Sequence, residues 1–193
     1  MIENYSRVTE ILYPFSGLSN ADPEVLMAAA DRGTRAHKAC EAIAAGLGEF
    51  GVDPEIMGFV ESFKKWWGTG KKVVAMEERF FCDEHELTGQ CDFIIETPEG
   101  LAIVDLKTSR HESKTWRVQG AAYAYLARKK GYDIKRILFV HLNIDGDEPK
   151  VFEYEEDWDF FLACLTVYNY FFKPAKKRKS RSSEKSKESA VKN

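Results

Sequence analysis

Residues 87 to 109, LTGQCDFIIETPEGLAIVDLKTS, constrain the fold more than any other stretch of this chain. Thr97-Pro98-Glu99-Gly100 is a hairpin turn signal between two β-rich runs. In the second run Leu101, Ile103 and Asp105 alternate with Ala102, Val104 and Leu106, so both faces stay apolar until Asp105. A strand apolar on both faces is a central one, covered on each side by another layer. Only a sheet with cover on both faces can house it.

The flanking segments supply that cover. A helix is expected from about Pro23 to Leu47, with a possible break at Gly33. Asp53 then caps a second helix, PEIMGFVESFKKWW, with Pro54 at its first position. KVVAMEERFFC is a β-rich run ahead of the hairpin, and KTWRVQGAAYAYLARKKG has helical spacing and ends in Lys, Arg and Gly. KRILFVHLNI reads as a buried strand, KVFEYE as its short hairpin partner, and EDWDFFLACLTVYNYFF as a closing helix. Residues 1 to 20 read as a short lead-in. Three sequential strands suggest an antiparallel meander, and the helical crossover delivers a further strand to the same sheet. The expected fold is α/β, a central mixed β-sheet flanked by helices.

The 193 residues are 44% hydrophobic, enough for one domain over residues 1–172. From Lys173 onward nine Lys/Arg against two Glu give +7, so the net −3 leaves −10 on the body. An acidic body is not a generic DNA-coating surface; it would bind nucleic acid at a local basic site or with metal ions screening its carboxylates. Residues 173–193 hold almost no apolar side chains and are expected to be a disordered basic tail. Their KKRK can track a nucleic-acid backbone, act as a nuclear import signal, or solvate the chain. Cys40, Cys82, Cys91 and Cys164 are scattered, with no CxxC pair to build a zinc ribbon. Cys91 and Cys164 read as buried free thiols, which favours a reducing compartment. Neither a secretory signal nor a membrane span is expected.

Three charged residues stand out in the hairpin. Asp105 and Lys107 share one face of their strand, and a plain structural ion pair would explain them. Asp92 weighs against that reading. Counted outward from the turn, Asp92 and Asp105 fall nearly opposite each other across the pair. Facing carboxylates repel, so a site holding both calls for a divalent cation, and oxygen ligands suit Mg²⁺ or Mn²⁺.

Gly89-x-x-Asp92, then Asp105-x-Lys107 thirteen residues after Asp92, resembles the PD-(D/E)XK nuclease superfamily. Gly33-x-x-x-His37 and Gln119-x-x-x-Tyr123 are similar to the corresponding motifs of its RecB-type exonuclease branch. The lead-in SRVTEIL and a glutamate in AMEERF, twelve residues before Gly89, also look like the mitochondrial genome-maintenance exonuclease and phage relatives. The resemblance spans about residues 5 to 143 and implies a restriction-endonuclease-like core. Some relatives carry a four-cysteine iron–sulfur cluster; here only Cys164 follows the core, so no cluster is expected.

The resemblance also implies roles. Asp92 and Asp105, the backbone carbonyl of Leu106, and His37 would hold the metal. Lys107 would position or deprotonate the attacking water or stabilise charge on the phosphate. Glu77 would hold a second metal or orient a water. Its neighbour Glu78 lies on the opposite face, and the spacing to Gly89 favours Glu77. Gln119 and Tyr123, i and i+4 on one helix, would help bind nucleic acid and support the site, or else be a hydrogen-bonding partner and ordinary core. Thr108 and Ser109 could bind the next phosphate or cap a turn, and Arg110, Lys114 and Arg117 are candidate phosphate contacts. Trp116 could stack on a base or lie in the core, whereas Trp66 and Trp67 read as core.

The implied function is a metal-dependent DNA exonuclease acting on single-stranded or processed ends in recombination or repair. The resemblance implies a single-strand annealing or recombination protein as its partner in a phage-like system. A structure-specific endonuclease on the same core and a silent nucleic-acid-binding module are the alternatives. The implied location is the cytoplasm for a bacterial or phage protein, or the nucleus if KKRK is an import signal.

Overall fold

A computed structural model describes residues 5–18, 21–48, 51–68 and 71–173. The expected disordered tail, apart from Lys173, lies outside the described residues. Chain order is β1 (Ser6–Arg7), α1 (Val8–Leu12), α2 (Pro23–Ala44), α3 (Met57–Trp67), β2 (Lys72–Cys82), β3 (Leu87–Thr97), β4 (Gly100–Lys107), α4 (Thr115–Lys129), β5 (Ile134–His141), β6 (Lys150–Glu153) and α5 (Trp158–Phe171).

Among the described residues six strands form one mixed sheet in the order β1-β3-β4-β5-β6, with β2 on the other edge of β3. β2, β3 and β4 are an antiparallel meander, and α4 carries the chain over to β5, which runs parallel to β4. β6 closes the sheet as the antiparallel partner of β5. The fold is α/β, as expected. Three departures stand out. The lead-in is not mere cover, because Ser6 and Arg7 pair in parallel with Leu87 and Thr88. α2 runs unbroken through Gly33 and stops at Ala44, three residues short of the expected end. The second helix starts with a 3-10 turn, Pro54–Ile56, whose first N–H groups are capped by Asp53 Oδ1 accepting from Glu55 N at 2.9 Å.

The sheet divides two apolar cores. On one face, side chains from α1, α4 and α5 pack against Phe80, Cys91, Ile94, Ile103 and Phe139. On the other, α2 and α3 pack against Phe93, Ile95, Val104, Leu106 and Val140. Fully burying each such side chain contributes about 1.5–3 kcal/mol relative to exposure. Trp66 and Trp67 pack against this second core, as expected. All four cysteines are buried free thiols.

The strand pairing leaves one opening. Along one edge β3 is laddered to β1 at Leu87 and Thr88 and to β4 from Phe93 to Thr97. Residues 89–92 of that edge have no ladder partner. β4 correspondingly parts from β3 beyond Val104 and continues beside β5 alone.

Candidate active site in a fork between strands

Asp92 and Asp105 occupy this fork. The last ladder pair is Phe93 with Val104, so Asp92 and Asp105 are the next register positions on their strands, as the sequence count anticipated. Asp92 is 8% exposed and Asp105 5%. Asp92 Oδ2 accepts a 2.5 Å hydrogen bond from the Leu106 N–H, which partly replaces the missing ladder. Leu106 thus reaches Asp92 through its N–H group.

The alternation of side chains shifts here. Cys91 packs on the α4 side and Phe93 on the α2 side, so the regular pattern is offset at Asp92. Asp92 Oδ1 lies 3.0 Å from His37 Nδ1 on α2. Gly33 lets α2 come this close, since a Cβ there would lie 3.0 Å from Thr108 Oγ1. A glycine inside a helix costs about 1 kcal/mol relative to alanine, and here it keeps the Thr108 side chain clear of α2.

In the β2–β3 ladder Met76 pairs with Phe93 and Glu78 with Cys91, which puts Glu77 at the register position of Asp92. Glu77 has φ +49°, a left-handed conformation that costs a non-glycine residue about 1–2 kcal/mol. Gln90 Nε2 donates to its carboxylate. Oxygen atoms of Glu77, Glu41 and Asp92 all lie within 4.8 Å of one another. Glu78 is ion-paired with Lys130, so the glutamate gathered beside Asp92 is Glu77. Glu41 was missed in the sequence. The available signal was its place one helical turn after His37, i and i+4 on α2.

The α4 side is organised by hydrogen bonds. Lys107 Nζ lies 2.6 Å from Asp105 Oδ2 and donates to Gln119 Oε1 at 3.0 Å. Gln119 Nε2 lies 3.2 Å from Asp105 Oδ1 and 3.0 Å from Tyr123 Oη. The i, i+4 pair on α4 is therefore bonded to the Asp105–Lys107 pair. Gly89 makes room for this, because a Cβ on it would lie 2.9 Å from the Tyr123 ring.

Protonation follows from these neighbours. Burial disfavours a charged His37, but Asp92 more than offsets that and raises its pKa to about 9. Burial also opposes ionisation of Asp92, yet His37, the Leu106 N–H and Lys107 together hold its pKa below the ordinary value. Burial pushes Asp105 up to about 6, with Asp92 adding to the rise and Lys107 opposing it. Glu77 rises to about 7 through burial and the nearby Glu41 and Asp92 carboxylates, against Gln90.

Two features fit a divalent cation. Asp105 Oδ2 is buried and makes no well-formed hydrogen bond; the Lys107 ammonium, 2.6 Å away, is its ion-pair partner. An unbonded buried carboxylate oxygen is costly unless a cation takes it. The Glu41, Glu77 and Asp92 group is the second, since three carboxylates this close repel without one. The oxygen-rich donor set suits a hard cation.

The outer candidates divide. Thr108, Ser109 and Arg110 line one cavity beyond the strand end. Lys114 is exposed at the start of α4. Arg117 is exposed but ion-paired with Asp157 at 3.3 Å. Trp116 corrects the expectation of base stacking: it is 4% exposed, stacked on Phe139 and edge-on to Phe152, and so has no open face.

A family model described as the PD-(D/E)XK nuclease superfamily matches residues 14–185. No curated protein matches the sequence. Among solved structures, one described as the crystal structure of SSO0001 is similar, with TM-score 0.43 and 16% identity over 90% of this chain and 78% of that one.

Proposed function

The chain belongs to the PD-(D/E)XK nuclease superfamily, whose members cut nucleic acid with divalent metals, and on that premise we propose that it is a DNA exonuclease of the RecB-type branch. It would hydrolyse phosphodiester bonds from single-stranded or processed ends in recombination or repair. The observation that carries the reading is the pairing of an unbonded buried carboxylate oxygen on Asp105 with the Lys107 ammonium beside it. A buried carboxylate held beside a fixed positive charge suits a metal-bound phosphate and its attacking water.

Asp92, Asp105 and the Leu106 carbonyl would hold Mg²⁺ or Mn²⁺, with His37 as a further ligand. Glu77 and Glu41 would hold a second ion or orient a water. When bound, the metal polarises a phosphoryl oxygen and lowers the pKa of water. His37 must lose the proton that Asp92 stabilises before it can act as a ligand. Lys107, fixed by Asp105 and Gln119, would place the attacking water or stabilise charge on the phosphate. Tyr123 holds Gln119 in place. Thr108 and Ser109 would meet the neighbouring phosphate.

The exonuclease reading is supported by the four motifs and by the plain architecture. Among the described residues the sheet and its helices leave no inserted element large enough to read base edges. An annealing or recombination protein as partner, and a bacterial or phage cytoplasm as setting, rest on the resemblance alone. The nuclear alternative rests on the KKRK run, and the division into a nuclease domain over 1–172 and a basic tail on composition and charge.

End-labelled linear single- and double-stranded DNA, beside a single-stranded circle, tests the proposal with Mg²⁺, Mn²⁺ or EDTA. Metal-dependent loss of linear DNA, sparing circles and abolished in Lys107→Ala, is expected. Cut circles would make the protein an endonuclease. Binding without cleavage under either metal would make it a silent binding module.

A further inference from the structure

A cavity of about 490 Å³ opens where β4 and β5 end, one residue beyond Lys107. Pockets for small ligands run to about 300–1,000 Å³, so this one has room for a single nucleotide. Its lining is bipartite. Arg32, Arg110 and Lys150 bring positive charge, and Glu148 is the one carboxylate. Ile144 gives it an exposed apolar wall, backed by the buried Phe59 and Leu142.

The cations are available. Arg110 and Lys150 have no ion-pair partner among the described residues, and Arg32 has only Glu55, at 3.6 Å. Most other described cations of this acidic body are paired, including Arg35, Arg128, Lys130 and Arg136. Two unpaired cations facing one cavity beside the site thus form a local basic spot on an otherwise negative body.

The wall is also built in. Gly58 allows α3 to press onto the backbone of the Ile144 loop, because a Cβ there would lie 1.6 Å from the Ile144 carbonyl oxygen. The Asn143 N–H donates to Ser62 Oγ on the same helix at 2.9 Å. His141, the register partner of Lys107, lies within hydrogen-bonding distance of the Ser109 carbonyl and ties the other lip down.

We propose that this cavity is the subsite for one unpaired nucleotide next to the scissile bond. Its phosphate would lie against Arg110, Lys150 and Arg32, and its base and sugar against Ile144, the exposed apolar side chain of the lining. The placement beside the scissile bond rests on the nuclease reading above; the capacity to bind a nucleotide does not.

Calorimetric titration of the full chain in EDTA with thymidine 5′-monophosphate, thymidine and inorganic phosphate tests it without cleavage. The monophosphate is expected to bind more tightly than either fragment. Arg110→Ala and Lys150→Ala should each weaken it by about tenfold, the worth of a charge-assisted contact. Glu148→Gln should tighten it by removing the opposing charge. With an oligothymidylate, the slope of log affinity against log salt should shrink by about 0.7 for each cation removed. Monophosphate binding no tighter than phosphate, or indifferent to all three substitutions, overturns the proposal even if the protein cuts DNA. Binding that responds as described, in a protein that cuts nothing, keeps the nucleotide site and sinks the nuclease reading instead.

Discussion

The two sides of the strand fork reach the same chemistry by opposite routes. Toward α4, Tyr123, Gln119, Lys107 and Asp105 form one hydrogen-bonded chain with its cation built in. Toward α2, Glu41, Glu77 and Asp92 crowd together, with His37 as the nearest cation and hydrogen bonds from Gln90 and Leu106 in partial compensation. The first arrangement is preorganised by its own bonds. The second is electrostatically incomplete and keeps Glu77 in a left-handed conformation as well. One half of the site is therefore held by the fold, and the other is strained by it until a cation arrives.

The largest effect expected is on the chemistry, where both sides must matter. Lys107→Ala and Asp92→Asn should each lower metal-dependent cleavage by about 10²–10³-fold while circular dichroism stays native. Retained activity in either would break the comparison at its root.

The second effect separates the sides by sign. Glu41→Gln and Glu77→Gln should weaken Mg²⁺ or Mn²⁺ binding by about 10–100-fold yet raise the melting temperature in EDTA, because repulsion is relieved. Gln119→Ala should do the reverse to stability, costing about 1–3 kcal/mol by leaving buried groups of Lys107, Asp105 and Tyr123 unpaired. Urea melts in EDTA and titration calorimetry read both quantities.

The pH dependence comes third. Glu77 and Asp105 hold protons up to about 7 and about 6 in the metal-free protein, above the ordinary carboxyl values. Their contribution to metal-free stability is therefore complete below those ordinary values and is lost as pH rises through 6 to 7. His37, raised to about 9, contributes fully below its ordinary value and loses that contribution as pH passes about 9. A cation must displace these protons, so its affinity should climb by up to about tenfold per unit for each proton released as pH rises to about 6 and 7 for Asp105 and Glu77, and on to about 9 where His37 is a ligand. The stabilisation produced by Mg²⁺ in thermal melts should grow over the same range. A flat profile would mean that the carboxylates are already ionised.

The smallest effect expected is Tyr123→Phe. It removes one hydrogen bond while Gln119 keeps its contact with Asp105, for a cost of about 1 kcal/mol in urea melts.

Much of this was legible in the chain. Thr97–Gly100 sets the hairpin, and counting from it places Asp92 and Asp105 in register because strand geometry is periodic. Residues 119 and 123 meet because helices repeat every 3.6 residues. What was hidden depends on contacts between distant segments. Glu41 looks like any solvent-facing helical glutamate until α2 docks beside Glu77. The left-handed Glu77 has no glycine or asparagine to announce it. Trp116 could have faced a base, and only the packing of β5 and β6 around it shows that it cannot. The two-residue β1 is too short for any periodicity, and the wall of the cavity exists because Gly58 meets Ile144, 86 positions away in sequence.

The fork between β3 and β4 also sets an order of assembly. His37 lies early in the chain and Tyr123 late, and β5 can join β4 in parallel only after the α4 crossover has been made. A nascent chain that has reached Lys107 carries both aspartates and the lysine but lacks Gln119 to aim them and β5 to support the strand they stand on. During synthesis the candidate site therefore stays unassembled until residues well past its last charged member have emerged, and a truncated product is left without a finished edge.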